Sequence, residues 1–200
     1  AEQYAKRSID DLAPVLQHHI LSSSNRYRYI KRKLQQVIAQ ATYVLSEQAR
    51  ASGFTPVGIE LSFGYEKGLE PIRIPLPDGR ELLLRGRIDR VDKAELDNHL
   101  YLRIIDYKSS NQSLSLEDVY YGIALQMLTY LHVVLLQSHK WLKMSATPAG
   151  ILYFHVHDAM LSEPEHVTEE KIEQELFKKY KMSGLILEDP DVAFLMDEKL

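Results

Sequence analysis

The stretches GRIDRVD at 86–92 and LRIIDYKS at 102–109 contain the residues that decide the fold. Each reads as a β-strand, with Asp89 inside the first strand and Asp106 at the end of the second. Residues i and i+2 of a strand point to the same face, so Asp106 and Lys108 are expected to share one pocket. Carboxylate oxygens bind hard cations such as Mg²⁺, and a neighbouring ammonium group can steer a water. The two stretches therefore predict a magnesium site near the ends of two strands.

Three more polar residues lie in apolar stretches on either side of this pair. Glu60 lies in the strand-like run VGIELSFG at 57–64, between apolar neighbours. If that strand is regular, Glu60 faces its less apolar side and can enter the same site. Gln126 and Tyr130 lie four residues apart in an apolar helical run and therefore share one helix face.

In this order, the motifs ELSFGYE, GRIDRVDKAE, LRIIDYKSS and VYYGIALQMLTYL resemble the PD-(D/E)XK nuclease superfamily and its RecB-like nuclease domains. They are most similar to the C-terminal nuclease domain of AddB-type subunits of bacterial ATP-dependent helicase-nucleases. The resemblance extends along nearly the whole chain. It implies an α/β fold with a restriction-endonuclease-like core, in which helices flank a central mixed sheet. We expect residues 1–200 to form a single nuclease domain, a fragment of a much larger helicase-nuclease subunit.

The resemblance also implies a role for each residue of the central pair of strands. Asp89, Asp106 and the carbonyl oxygen of Tyr107 would bind Mg²⁺, with Mn²⁺ as a substitute. Lys108 would orient the attacking water and add positive charge. The implied reaction is exonucleolytic hydrolysis of DNA phosphodiester bonds.

For the outer residues, the resemblance implies supporting roles. Glu60 would be an outer-sphere or second-metal ligand, and Gln126 and Tyr130 would contact the DNA backbone or support the site. The implied partners are a single DNA strand from an unwound end and a helicase-nuclease subunit of the AddA type. The implied process is recombinational repair of double-strand breaks, with action on the strand that has a 5′ end.

Other interpretations of the same residues remain open. Asp89 could simply pair with Arg87 or Arg90, and Asp106 with Lys108 could be a structural ion pair. Glu60 could be an ordinary exposed strand residue, and the Gln126 face could be the polar edge of a core helix. For the whole chain, the alternatives are a catalytically inactive nuclease-like module that binds DNA or acts as a scaffold, and a protein-interaction domain. The joint presence of both aspartates and the lysine favours the enzyme.

Composition sets broad limits on these hypotheses. A hydrophobic content of 45% in 200 residues is enough for one ordinary core, and a net charge of −4 restricts any DNA contact to local basic patches. One such patch is expected at the start of a long helix, where Arg26, Arg28, Lys31 and Lys33 cluster. The sequence has no run of about 18 apolar residues and no signal-peptide pattern at its start, so we expect a cytoplasmic location.

Cysteine and histidine give no clear sign of a metal site. The chain has no cysteine, so it cannot hold an iron–sulfur cluster, although the resemblance allows one in the full-length protein. RecB-type nucleases commonly have an upstream metal-binding histidine in a Gly-x-x-x-His pattern, which is missing here, so His18 and His19 are not assigned. His155 and His157 could bind a metal as an i, i+2 pair, but without a third ligand a structural role is favoured.

Periodicity predicts the order of the elements. A helix interrupted by Pro14 is followed by a long helix that begins near Ser22–Asn25 and stops at Gly53. Strands and helices are then expected at 57–63, 72–76, 81–91 and 100–107 (strands), 116–136 (helix), 150–156 (strand) and 168–181 (helix).

Overall fold

The computed structural model describes residues 2–15, 24–110, 113–157 and 168–197. The helices are α1 (Glu2–Leu12), α2 (Asn25–Arg50), α3 (Leu116–Tyr120), α4 (Gln126–Leu142), α5 (Glu169–Lys179) and α6 (Pro190–Met196). The strands are β1 (Thr55–Phe63), β2 (Ile72–Pro75), β3 (Glu81–Leu84), β4 (Gly86–Leu96), β5 (His99–Lys108), β6 (Ala146–His155) and β7 (Ser183–Ile186). They form two compact units, one with α1, α2 and α5 and the other with the two sheets, α3, α4 and α6. None of the helices described is long and apolar enough to cross a membrane.

The main sheet has five strands in the order β1-β4-β5-β6-β7. The β1–β4, β4–β5 and β6–β7 pairs are antiparallel. Between β5 and its neighbour β6 the chain passes through α3 and α4, as a crossover connection requires. The sheet is mixed and helices flank it, so the predicted α/β class is confirmed.

The segment predicted as one strand over 81–91 is two strands, so that prediction is wrong. β3 pairs with β2 in a separate two-stranded sheet, whereas β4 pairs with β1 and β5. The chain changes sheets at Arg85, where Gly64 approaches it closely: a Cβ on Gly64 would lie 2.6 Å from the Cβ of Arg85. With a φ of +76°, Gly64 also has a backbone conformation that other residues rarely adopt.

The predicted helix over 116–136 is also wrong as a single element. It divides into α3 and α4 at Gly122, which has a φ of +73°. The backbone amides of Ile123 and Ala124 both donate to the carbonyl of Asp118, at 2.7 and 3.2 Å. A left-handed glycine is a common helix terminator, so α3 ends before it and α4 begins as a separate helix.

The core of the sheet-containing unit explains why α4 lies against the sheet. Val133 and Val134 of α4 are fully buried and belong to one apolar cluster with Val91 of β4 and Ile104 of β5. Full burial of side chains of this size stabilises a fold by roughly 1.5–3 kcal/mol each. Gln137, within α4, also fixes the helix to the segment before β2, because its side chain both accepts from and donates to the backbone of Glu70, at 2.7 and 2.8 Å.

In the helical unit, the predicted boundaries are close to those observed. α1 ends at Leu12, two residues before Pro14, and α2 covers the predicted long helix. The expected basic patch is partly neutralised within the unit, since Lys31 Nζ lies 2.7 Å from a carboxylate oxygen of Asp10.

Candidate active site

The pairing of β4 with β5 sets the two predicted acids beside each other. Arg90 is opposite Ile105 in this antiparallel pair, and continuing the register by one residue places Asp89 opposite Asp106. Directly opposed residues have Cβ atoms about 4.5–5.5 Å apart and point to the same face of the sheet. The backbone amide of Tyr107 donates to Oδ2 of Asp89 at 2.9 Å, which fixes that carboxylate across the two strands.

Asp106 is the more buried of the two acids, with 3% of its surface exposed. Burial raises the pKa of its carboxyl group, and the negative charge of Asp89 acts in the same direction, while Lys108 opposes both. Among the described residues, Oδ2 of Asp106 has no hydrogen-bond donor of good geometry, although Lys108 Nζ lies 2.7 Å away as an ion pair. The surroundings of Asp106 therefore disfavour the ionised form of its carboxyl group.

Lys108 shares the face of Asp106, as the i, i+2 spacing predicted. Burial alone would lower the pKa of its ammonium group, but Asp106 outweighs this effect and the pKa is raised. The ammonium also lies 5.7 Å from the ring centroid of Tyr153 on β6. Tyr107 points the other way, because its ring packs edge-on against Phe154 at 6.0 Å.

The alternative ion pairs for Asp89 do not occur among the described residues. Arg87 binds Glu60, with Nη1 3.0 Å from Oε2. Arg90 binds Asp92 through two contacts of 2.6 and 2.9 Å. Both arginines that could neutralise Asp89 therefore have other carboxylate partners.

The regular strand on which the predicted orientation of Glu60 depended is not present at this residue. Its φ is +50°, and its neighbour Ile59 is 71% exposed instead of buried. The pairs on either side, Ile59 with Arg90 and Leu61 with Ile88, place Glu60 next to Asp89 in register. Its side chain is exposed and paired with Arg87, so the structure brings Glu60 to the edge of the site only.

Gln126 and Tyr130 share a face at the start of α4, where the amide of Gln126 donates to the tyrosine hydroxyl at 2.9 Å. The ring of Tyr130 packs edge-on against Phe63 at 5.9 Å. A Cβ on Gly86, the first residue of β4, would lie 3.6 Å from the Tyr130 ring. This polar pair therefore meets the strand that carries Asp89.

The predicted donor set for a cation consists of two carboxylates and a main-chain carbonyl. The described part of the chain contains no group of three or more His, Cys, Asp or Glu side chains that could hold a metal. His157 packs against Tyr180, with ring centroids 5.3 Å apart, which favours its structural interpretation. His18 and His19 lie outside the described residues.

Sequence reasoning missed two features around the site. Tyr153 lies in an apolar strand, and only the neighbouring position of β5 and β6 reveals its contact with Lys108. Asp92 is completely buried between Arg90 and Arg103, with Arg103 Nε 3.0 Å from Oδ2. The sequence signal for this cluster is the alternation of arginine and aspartate in GRIDRVD. Such a pattern normally predicts exposed side chains, so it did not indicate a buried ion cluster.

Comparison with known proteins supports the motif-based resemblance. The sequence profile of the PD-(D/E)XK nuclease superfamily matches residues 1–186. Similar proteins, each named as the B subunit of an ATP-dependent helicase/deoxyribonuclease, occur in Oceanobacillus iheyensis (60% identical over 201 residues), Bacillus subtilis (52% over 199) and Listeria monocytogenes (51% over 199). Each alignment covers 100% of this chain but 17% of the relative, so the chain spans about a sixth of their length. With its superfamily profile matched almost from end to end, the chain belongs to the PD-(D/E)XK nuclease superfamily.

Proposed function

We propose that this chain is the nuclease domain of an AddB-type helicase-nuclease subunit and that it hydrolyses DNA phosphodiester bonds with Mg²⁺. The observation that carries the proposal is the closeness of Asp89 to Asp106, whose neighbour Tyr107 donates to the Asp89 carboxylate, together with the contact of Lys108 with Asp106. The superfamily match supports the reaction class, and the names of the similar proteins support the larger assembly.

The residues present fit a magnesium ion. Asp106 has a buried carboxylate oxygen without a well-aligned hydrogen-bond donor in the described residues, and its raised pKa reflects a charge that the fold alone does not stabilise. Mg²⁺ prefers oxygen ligands, commonly one or two carboxylates completed by waters and substrate. Asp89, Asp106 and the carbonyl of Tyr107 would hold it.

Each side chain then has a distinct task. Bound Mg²⁺ would supply positive charge to the phosphate and lower the pKa of a coordinated water. Lys108 orients the attacking water and offsets charge that develops on the phosphate, since an ammonium group has donors only and cannot ligate a metal. The amide of Tyr107 keeps Asp89 in place.

The polar residues around this centre would hold the DNA. Gln126 and Tyr130, joined by their hydrogen bond, present donors beside the start of β4 and would contact the DNA backbone. Glu60, held by Arg87 next to Asp89, would act as an outer-sphere group. We further infer exonucleolytic action on a single strand delivered by an AddA-type partner in the cytoplasm.

A cleavage assay on the full-length protein with its partner tests this function. Single-stranded and duplex DNA labelled at either end would be incubated with Mg²⁺ and with EDTA, using wild type, Asp106→Asn and the exposed control Asp78→Asn. We expect Mg²⁺-dependent shortening from the end on which this chain acts by wild type and the control, and loss of that shortening in Asp106→Asn. Equal cleavage by all three would place the active site elsewhere, and an inert wild type would favour the DNA-binding or scaffolding module.

A further inference from the structure

The segment 64–85 leaves the main sheet after β1, forms the separate β2–β3 sheet and rejoins the main sheet at β4; we call it the β2–β3 excursion. Tyr65 and Arg85 face each other at its two ends. The guanidinium carbon of Arg85 lies 5.5 Å from the centroid of the Tyr65 ring. The absence of a side chain at Gly64 permits the two ends of the excursion to lie close together, because a Cβ there would clash with Arg85. The pair is therefore built into the fold.

Arg85 differs from the other arginines of this region in its partner. Arg73, Arg80 and Arg87 each have a carboxylate within 3.0 Å. Among the described residues, no carboxylate lies within ion-pairing distance of Arg85, and its contact is the aromatic ring. Its planar set of donors is thus available to an anion.

The exposure of the pair suits a nucleic-acid strand. Tyr65 is 52% exposed, and Arg85 is exposed as well. Bases of single strands stack on aromatic rings and on guanidinium planes, while arginine donors bind phosphate oxygens. Paired bases in a duplex do not offer their faces in this way.

The pair also lies next to the proposed site along the chain. Arg85 immediately precedes β4, and Asp89 follows four residues later, about 13 Å away at the rise of an extended strand. Gly86, between them, approaches the rings of Phe63 and Tyr130. We propose that Tyr65 and Arg85 form a subsite for single-stranded DNA, in which a base stacks on the pair and Arg85 binds a backbone phosphate. This subsite rests on the proposed nuclease function.

Photo-crosslinking on the full-length protein, without metal, tests the subsite independently of cleavage. Short single strands with iododeoxyuridine at one position each would be irradiated and the crosslinked peptides mapped. We expect a crosslink at Tyr65, lost in Tyr65→Leu, retained in Tyr65→Phe, and reduced about tenfold in Arg85→Ala, in line with the known size of stacking and charge effects. Arg80→Ala is the matched control, because it removes an exposed arginine of the same excursion that already has a carboxylate partner.

The outcomes separate this inference from the nuclease proposal. No crosslink at Tyr65, or equal losses in Arg85→Ala and Arg80→Ala, would overturn the subsite even if wild type cleaves DNA with Mg²⁺. A crosslink of equal yield with duplex DNA would overturn its preference for single strands. A Tyr65 crosslink with the expected variant pattern, in a wild type that does not cleave, would support the subsite while contradicting the nuclease proposal. Thermal unfolding of each variant checks that the fold is intact, and Arg85→Lys, which keeps the charge without the plane, provides a second variant.

Discussion

Replacing Asp92 by asparagine should destabilise the sheet-containing unit strongly. The Asp92 carboxylate is fully buried and accepts three hydrogen bonds, two from Arg90 and one from Arg103, at 2.6 to 3.0 Å. Burial lowers the pKa of the Arg103 guanidinium, with Asp92 opposing that effect, which shows how far this cation depends on its partner. Asp92→Asn leaves two buried guanidinium groups without a counter-charge.

The expected loss can be sized from buried pairs in general. Removing one partner of a buried ion pair costs about 3–5 kcal/mol, because the remaining charge is uncompensated. For a protein of this size, each kcal/mol shifts the midpoint of thermal unfolding by roughly 2–4 °C, so a decrease of roughly 6–20 °C is expected. Urea and thermal unfolding of the purified protein measure both quantities.

A matched control is available in the same unit. Asp78 also pairs with an arginine, Arg80, but both side chains are exposed. Asp78→Asn should therefore leave the unfolding midpoint almost unchanged, because exposed pairs add little. If Asp92→Asn and Asp78→Asn shifted the midpoint by the same small amount, the buried cluster would contribute no more to stability than an exposed pair, and the reasoning would be refuted.

Three further predictions concern the site. Asp106→Asn should stabilise the metal-free protein, because the raised pKa of Asp106 makes its contribution to stability fall as pH rises from the ordinary aspartate value through the folded one. Urea titrations over pH should therefore show the stability of wild type falling relative to that of Asp106→Asn across this range. Lys108→Ala should keep Mn²⁺ affinity by calorimetry yet lower turnover by about 10²- to 10⁴-fold, whereas joint loss of metal and turnover would contradict the proposed division of roles. Tyr153→Leu, which removes the ring near the Lys108 ammonium, should lower kcat several-fold with little change in KM, while Tyr153→Phe should resemble wild type; equal kinetics for both variants would mean that the ring does not position Lys108.

Much of the site could be predicted because it follows from strand periodicity. The i, i+2 spacing correctly predicted that Lys108 contacts Asp106, and the apolar runs around Asp89 and Asp106 located two adjacent strands. The register that brings Asp89 close to Asp106 depends on the tight turn between β4 and β5. Asp97 and Asn98 form this turn, and both have positive φ values in the structure. Turn residues of this kind were visible in the sequence.

Most of the failures have a different physical origin, because they depend on contacts between distant residues. Glu60 has a left-handed backbone conformation, which sequence patterns predict for glycine and not for glutamate. The strand predicted over 81–91 divides because β3 pairs with β2. β7 was not predicted, since its four residues include Gly184 and its pairing partner β6 decides its state. α6 was also missed, although Asp189 caps it through bonds to the amides of Asp191 and Val192.

The charges on the two faces of the β4–β5 pair explain why we propose a cation on one face and not on the other. On one face, two carboxylates, Asp89 and Asp106, meet a single ammonium group, that of Lys108, which leaves an excess of negative charge. On the other, the single carboxylate of Asp92 is surrounded by two guanidinium groups, so its oxygens are already occupied. Because a buried, uncompensated charge is costly, the first face is stable with an added cation and the second would reject one. The same alternation of side chains along two strands thus separates a structural cluster from the proposed catalytic one.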